Sequence, residues 1–451
     1  TKFMTKNLTE GNPLKLILLF SLPLLAGNLF QQAYNLVDAA IVGRYLGTMA
    51  LAGVGASGSV NFLVLGFCMG ICAGFTIPVA QKFGAGDYSA MRSYIFIGAV
   101  SLALFSVVVT VVCSLLCRWV LGFMSTPADI FDNAYIYLLI IFLGSPFTLM
   151  YNFLSGILRA IGNSKTPFIF LVVATIVNIV LDLTFIIVFN MGVAGAALAT
   201  VAAQAVSGIL CLVHIMRRYE ILRFRKEDLV WNWKKLSVLF GMGIPMGLQF
   251  SITAIGSMAL QAANNSLGSV CVSGFTAGSK LKILFISPYD AIGTAVSTYA
   301  GQNLGAQKFD RIKQGILLGT AISVLYGIAA SISLIAFGRP LSLMFIDSSE
   351  TEVLNASVQY AATIGIFYWV LGILNVVRPS LQGLGFTSRA IFSGVIEMFA
   401  RCIVSFGLVP VIGYKAVCFA DPCAWVCAVI YVSITMVWCL SKIKKAPDSV
   451  C

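Results

Sequence analysis

Four side chains stand out for the chemistry they could do inside an apolar chain: Asp38, Asn178, Asp182 and Thr200. Asn178 and Asp182 are four residues apart, one helical turn, so they project from one face. Thr200 follows eighteen residues after Asp182 in the next apolar run. Asp38 closes a stripe begun by Asn28, Gln31 and Asn35, whose spacing of three and four residues also makes one helix face. A carboxylate turned towards lipid is costly, so both acids are expected to face a protein interior or a water-filled cavity. Oxygen ligands of these kinds suit a hard cation or a proton. Two carboxylates that meet away from bulk water cannot both stay charged cheaply, and such a pair holds either a proton or a metal ion. The bland alternative is a polar seam that only packs helices together.

The elements that must hold these residues are membrane spans. Of 451 residues 59% are hydrophobic and 10% charged, against about 25% charged in soluble domains. A span needs ~20 apolar residues, and twelve candidates lie near 14–43, 51–79, 93–117, 133–156, 167–189, 192–214, 236–263, 270–300, 314–337, 357–377, 388–411 and 416–440. No charged segment with a small-residue cleavage site precedes the first, so no removable signal peptide is expected. The net charge of +12 does not point to nucleic acid, because of where it sits. Loops after even-numbered spans carry Lys82, Arg92, Arg159, Lys165, the run 217–235, Lys308, Arg311, Lys313, Arg378 and Arg389, and both tails add lysines. Loops after odd-numbered spans hold only Arg44, Arg118, Arg339 and Lys415, beside acids. By the positive-inside rule both termini are cytoplasmic. Most of the twelve cysteines sit inside spans, as in Cys68 and Cys72, and only one histidine, His214, occurs. They read as small buried hydrophobes rather than as a metal site, which needs more ligands than a cysteine pair.

The chain is a duplication. Gln81 to Ala85 (QKFGA), read as a cytoplasmic turn, returns as Gln302 to Ala306 (QNLGA), 221 residues later. Leu158 to Gly162 (LRAIG) returns as Leu381 to Gly385 (LQGLG), and Pro23 matches Pro245 within a residue. The expected organisation is an N-terminal tail 1–13, a first lobe 14–216, a basic cytoplasmic linker 217–235, a second lobe 236–440 and a C-terminal tail 441–451. With six spans each, the halves are parallel repeats about an axis along the membrane normal. Pro23 and Pro245 are candidate hinges, since proline leaves a backbone carbonyl without its donor.

The halves differ where chemistry is expected. Asn178 maps to Arg401, Asp182 to Ser405 and Asp38 to about Leu260. The second half has intramembrane charges of its own: Lys280, Lys282 and Asp290 in the eighth span, Glu397 and Arg401 in the eleventh, and Asp421 in the twelfth, within two residues of where the repeat places Thr200. Glu397 and Arg401, four apart, read as a structural pair; for Lys280, Lys282, Asp290 and Asp421 structure and function stay open.

The twelve-span duplicated layout, the phrase Y-N-L-V-D-x-x-x-V-G at Tyr34 to Gly43, the two Q-x-x-G-A phrases, LRAIGNSKTP at Leu158 to Pro167 and GVAGAALAT at Gly192 to Thr200 resemble the multidrug and toxic compound extrusion family, closest to its bacterial branches. The resemblance covers almost the whole chain. It implies an all-α membrane fold of two six-helix lobes around a central cleft open alternately to each side. It also implies export of cationic, often aromatic, compounds in exchange for sodium or protons. The bacterial cation site is matched by Asp38, Asn178, Asp182 and Thr200, and Asn152 resembles a cavity-lining position. Some members use acids in the second lobe; the seventh span here offers Gln249, Thr253, Ser257 and Gln261 with no acid. Asn28, Gln31, Asn35, Asn152, Gln249, Thr253 and Gln261 are therefore the candidate cavity residues.

The reading reached is a monomeric, multi-pass exporter of the cytoplasmic membrane that moves small cationic or amphipathic molecules. It is coupled to Na+ or H+, needs no cofactor, contacts lipid and binds no nucleic acid. The alternative is a flippase for lipid-linked oligosaccharides, disfavoured by the few basic residues in the spans. No Gly-Lys dipeptide occurs, hence no P-loop. No convergent nucleophile, base and metal set points to an enzyme. The duplicated lobes favour alternating access over a channel.

Overall fold

The computed structural model describes residues 7–124 and 126–445, the side chain of Lys445 excepted. Lys2, Lys6 and the tail past Lys445 lie outside the described residues. The described chain is helical throughout, as an apolar chain must be when lipid offers its backbone no hydrogen-bond partner. The first half runs α1 (Pro13–Leu46), α2 (Thr48–Gly84), α3 (Tyr88–Phe123), α4 (Ala128–Leu143), α5 (Ser145–Ala160), α6 (Lys165–Leu183) and α7 (Val193–Arg218). The second runs α8 (Trp233–Asn265), α9 (Ser269–Gly305), α10 (Phe309–Ala336), α11 (Gly338–Ser342), α12 (Thr351–Ile366), α13 (Tyr368–Gly383), α14 (Thr387–Ile403), α15 (Val409–Ile412) and α16 (Tyr414–Lys445). Single π-helical turns, Thr184–Val188 and Val404–Leu408, follow α6 and α14.

Ten of the described helical segments are long and apolar enough to cross a bilayer alone. The fourth and tenth candidate spans are each two helices: α4 meets α5 at 50° and α12 meets α13 at 56°, giving up to twelve spans. The sequence reading drew both as continuous. The first break falls where Pro146, at the start of α5, has no N–H to continue the α4 ladder, and a Cβ on Gly144 would stand 2.3 Å from Val201 Cγ2, so the turn presses on α7. A second correction concerns the repeated phrases. Gln81 to Gly84 and Gln302 to Gly305 are the last residues of α2 and α9, and the turns come after them. Gly86 (φ +72°) and Gln307 (φ +56°) take left-handed backbone there, and the Gly86 and Asp87 amides close the helix end on the Phe83 and Lys82 carbonyls, both at 3.1 Å.

The repeat extends to helix ends. Asn12 Oδ1 accepts from the Leu14 and Lys15 amides at 3.0 and 3.3 Å, and Asn232 Oδ1 accepts from the Lys234 and Lys235 amides at 2.9 and 3.2 Å. Each asparagine caps the helix that opens its half. The chain divides into two compact units, one of Ala26–Gly247 and one of Leu8–Leu25 with the chain from Leu248 onward. The border falls inside α1 and inside α8, in each case two residues after the proline, Pro23 or Pro245.

In the first unit α8 starts against α2 with backbones nearly touching. A Cβ on Gly70 would lie 2.6 Å from Gly247 Cα, and one on Gly74 2.5 Å from Gly243 Cα. Small residues four apart permit such close helix contact in lipid. The linker before α8 is fixed by an ion pair. Arg92 Nε donates to Asp228 Oδ2 at 2.6 Å, Arg92 Nη1 to the Ile221 carbonyl at 3.3 Å, Ser89 Oγ to Asp228 Oδ1 at 3.1 Å and the Arg225 amide to Asp228 Oδ2 at 2.8 Å. Burial pushes Asp228 up, but these donors and the Arg92 charge outweigh it and hold the carboxyl below its ordinary range. In the second unit residues 8–11 are strapped down: the Leu8 amide donates to Gln302 Oε1 at 2.9 Å, and Asn303, Lys308 and Arg311 donate to the carbonyls of Leu8, Thr9 and Gly11. Residues 8 and 9, read from sequence as tail, are buried.

Candidate cation site

The site in the first unit is built from α1, α4, α6 and α7. Asp38 lies on α1 about four turns past Pro23. Asn178 and Asp182 share the buried face of α6, and the π-helical turn begins two residues after Asp182. Such turns are frequent at functional sites. Thr200 is in the third turn of α7, which opens at Gly192 in left-handed backbone (φ +61°).

The four residues meet. The carboxyls of Asp38 and Asp182 lie side by side, close enough that both cannot stay charged cheaply without a proton or a cation between them. With its nitrogen turned to the acid, the Asn178 amide donates to Asp182 Oδ2 at 2.8 Å and accepts from the Thr200 amide at 3.1 Å. Thr200 Oγ1 donates to the Ala196 carbonyl at 3.1 Å and lies 3.4 Å from Tyr34 Oη. Tyr137, from α4, lies near Thr200 and the two acids. Asp182 and Asn178 are buried. Asp38 Oδ1 and Asp182 Oδ1 are both buried and have no hydrogen-bond partner among the described residues. Neither acid is in an ion pair there. Two unpartnered carboxylate oxygens beside an amide and hydroxyls are donors that fit a hard cation in place of a proton.

The remaining polar residues of α1 stay apart from this cluster: Asn35 is exposed, and Gln31 Nε2 reaches Asn35 Oδ1 at 3.4 Å. Asn28 is half-buried. On α5, Asn152 Nδ2 donates to its own helix, to the Thr148 carbonyl at 2.8 Å. In the second unit Gln249 accepts from Gln382 Nε2 at 2.6 Å, Gln261 Nε2 donates to Asn265 Oδ1 at 2.7 Å, and Thr253 is half-buried.

The second unit's charges form one network. Asp421 accepts from Lys282 Nζ at 2.6 Å and from Arg401 Nε at 2.8 Å; Arg401 Nη2 reaches Glu397 Oε2 at 3.2 Å, and Arg378 closes the chain on Glu397 Oε1. Tyr360 Oη donates to Asp421 Oδ2 at 3.0 Å. Asp290 makes none of these ion pairs, and Lys280 lies 5.6 Å from the Phe345 ring centre. The sequence reading assigned no site role to Tyr34, Tyr137 or Tyr360, and it counted Arg378 as a loop charge, whereas Arg378 lies within α13 and pairs with Glu397. The two tyrosines Tyr137 and Tyr360 occupy matching places in α4 and α12, a repeat signal that was there to be read.

The family model MatE matches residues 23–184 and again 245–406. The chain belongs to the MatE family. Two matches of equal length also establish the duplication. As a MatE protein it is a multi-pass membrane transporter and not an enzyme. It is 32% identical over 391 residues to the probable multidrug resistance protein YpnP of Bacillus subtilis, covering 87% of each chain. It is 27% identical to the probable multidrug resistance protein NorM of Thermotoga maritima, covering 88% of this chain and 85% of that one. A solved structure described as the outward-facing conformation of a multidrug resistance MATE family transporter has the same fold, with a TM-score of 0.90 at 20% identity and 99% of each chain covered.

Proposed function

We propose that this MatE chain is a cation-coupled multidrug efflux antiporter of the cytoplasmic membrane. It exports organic cations and amphipathic drugs by alternating access, in exchange for Na+ or H+ bound at Asp38, Asn178, Asp182 and Thr200. The observation that carries this reading is the approach of half-buried Asp38 to buried Asp182, without a cation of the chain's own in an ion pair with either. Such a pair holds one proton or one metal ion and changes its hold when the surroundings change. Asp421 and Glu397, by contrast, are each ion-paired to two basic residues. That also leaves Lys282, Arg378 and Arg401 tied to acids rather than free for the pyrophosphate of a lipid-linked sugar. Two relatives carrying the words multidrug resistance in their names support the passenger class.

The half-buried amides Asn28, Gln31 and Asn152, with Asn35, Gln249, Thr253 and Gln261, line the passenger's route in this reading, which uses no cofactor and one chain. Both termini and the 217–235 linker are cytoplasmic. Pro23 and Pro245 are the bending points, in keeping with their place two residues before the border between compact units. The test is uptake of a cationic dye by proteoliposomes under a sodium gradient alone and a pH gradient alone. Transport driven by either supports coupling, and the responsive gradient names the ion. Equal transport with neither gradient present would refute it.

A further inference from the structure

The second unit contains the frame of the first unit's cation site, and its own side chains occupy it. The match is positional. Helices α2 and α9 have 37 residues each and begin at Thr48 and Ser269, which places Lys282 where Asn61 stands. Helices α4 and α12 have 16 each, placing Tyr360 where Tyr137 stands. The left-handed glycines Gly192 and Gly413 open α7 and α16, placing Asp421 where Thr200 stands. The contacts match too. Tyr137 lies near Thr200, and Tyr360 reaches Asp421. Asn178 bonds the Thr200 amide, and Arg401, its counterpart on α14, bonds Asp421.

What differs is the charge. The first unit offers two acids and no cation of its own. The second offers Asp421, held by an ammonium and a guanidinium, and Glu397, shared between Arg401 and Arg378. Leu260 stands where Asp38 does, and is buried. Gly256 stands where Tyr34 does, and a Cβ there would lie 3.2 Å from Met398 Cα and 3.5 Å from Arg401 Cδ. The glycine thus makes the room that the arginine stem fills.

We propose that the second lobe is a cation site permanently filled by the tethered cations Arg401 and Lys282, so that only the first lobe exchanges an ion with solution. This rests on the first-lobe reading given above. It implies that the second-lobe frame will take a free monovalent metal ion once the tethered charges are gone, because Asp421, the Tyr360 hydroxyl, the Ser405 hydroxyl and two amide oxygens then form an oxygen cage.

The experiment uses purified full-length chain, with radioactive sodium as the probe. Lys282→Asn with Arg401→Asn installs the first lobe's residue types at both positions. The double variant is expected to bind one more sodium ion per chain than the parent, and to lose that ion when Asp421→Asn is added. The gain is expected to persist when Asp38→Asn silences the first lobe. This separates the two claims: failure of the first-lobe reading shows as no effect of Asp38→Asn in the parent, whatever the double variant does. A folded double variant that takes up a proton but no additional sodium overturns the proposal, since burial alone would produce the proton. Should the double variant not fold, Arg401→Gly is prepared with and without free guanidinium. Recovery of monodisperse protein, or a raised unfolding temperature, only with guanidinium supports a cation-shaped site beside Asp421. No response to guanidinium overturns it.

Discussion

At the scale of residues, the two units show one frame carrying opposite electrostatics. Asp38 and Asp182 are acids in no ion pair among the described residues, and under the proposed function removing either charge would disable the same site. Asp38→Asn and Asp182→Asn are each expected to abolish gradient-driven export while leaving the protein folded. The double variant is expected to be little worse than either, a departure from additivity of about 0.5–3 kcal/mol, the range found for residues in one network. Initial export rates of the three variants measure it. Thr200→Ala is expected to weaken sodium dependence if sodium is the ion, and to matter less for a proton. The acids, the amide and the threonine were legible because helical spacing puts Asn178 and Asp182 on one face, and an intramembrane acid has few other uses. Tyr34 and Tyr137 were not, because a tyrosine in an apolar span looks like packing until its hydroxyl is seen beside Thr200. The full second-lobe network was hidden for a related reason: spacing within one helix can pair Glu397 with Arg401, but only the fold brings Lys282 and Asp421 together across 139 residues.

At the scale of elements, span number followed from apolar length and the repeat from recurring phrases. The break at Gly144 was signalled by Gly144 and Pro146 inside the apolar run, whereas the break at Phe367 has no proline beside it to mark it. Close packing at glycines makes its own prediction. Gly74→Val would force its side chain into the Gly243 backbone, and overpacking of this kind costs about 1–3 kcal/mol. A lower unfolding temperature in detergent is expected, with α8 the first segment to lose protection from hydrogen exchange. The linker has a pH signature of opposite origin. The Asp228 carboxyl is held below its ordinary range by Arg92, so its contribution is complete above the unfolded aspartate range and is lost as pH falls through its lowered value. Limited proteolysis between α7 and α8 is expected to accelerate on acidification in the parent. In Asp228→Asn it should already be fast at neutral pH and change little. Pro23→Ala restores a backbone donor within α1, and is expected to slow transport without reducing expression; an unchanged rate would remove the bend from the mechanism.

At the scale of the whole molecule, lysine and arginine placement sets orientation. A cysteine introduced at Lys226 is expected to resist an impermeant label added outside intact cells, and one at Asp347 to react; the reverse pattern would invert the topology. Under the proposed function Asp38 and Asp182 hold the coupling ion, and one measurement tests that most directly. Proteoliposomes containing the parent chain or Asp38→Asn are given the gradient that drives the parent, and export of a cationic dye is followed. The predicted result is gradient-driven export by the parent and none by the variant, although the variant still binds dye. Export by Asp38→Asn at the parent rate under the same gradient would contradict it, and would move the coupling ion away from this site.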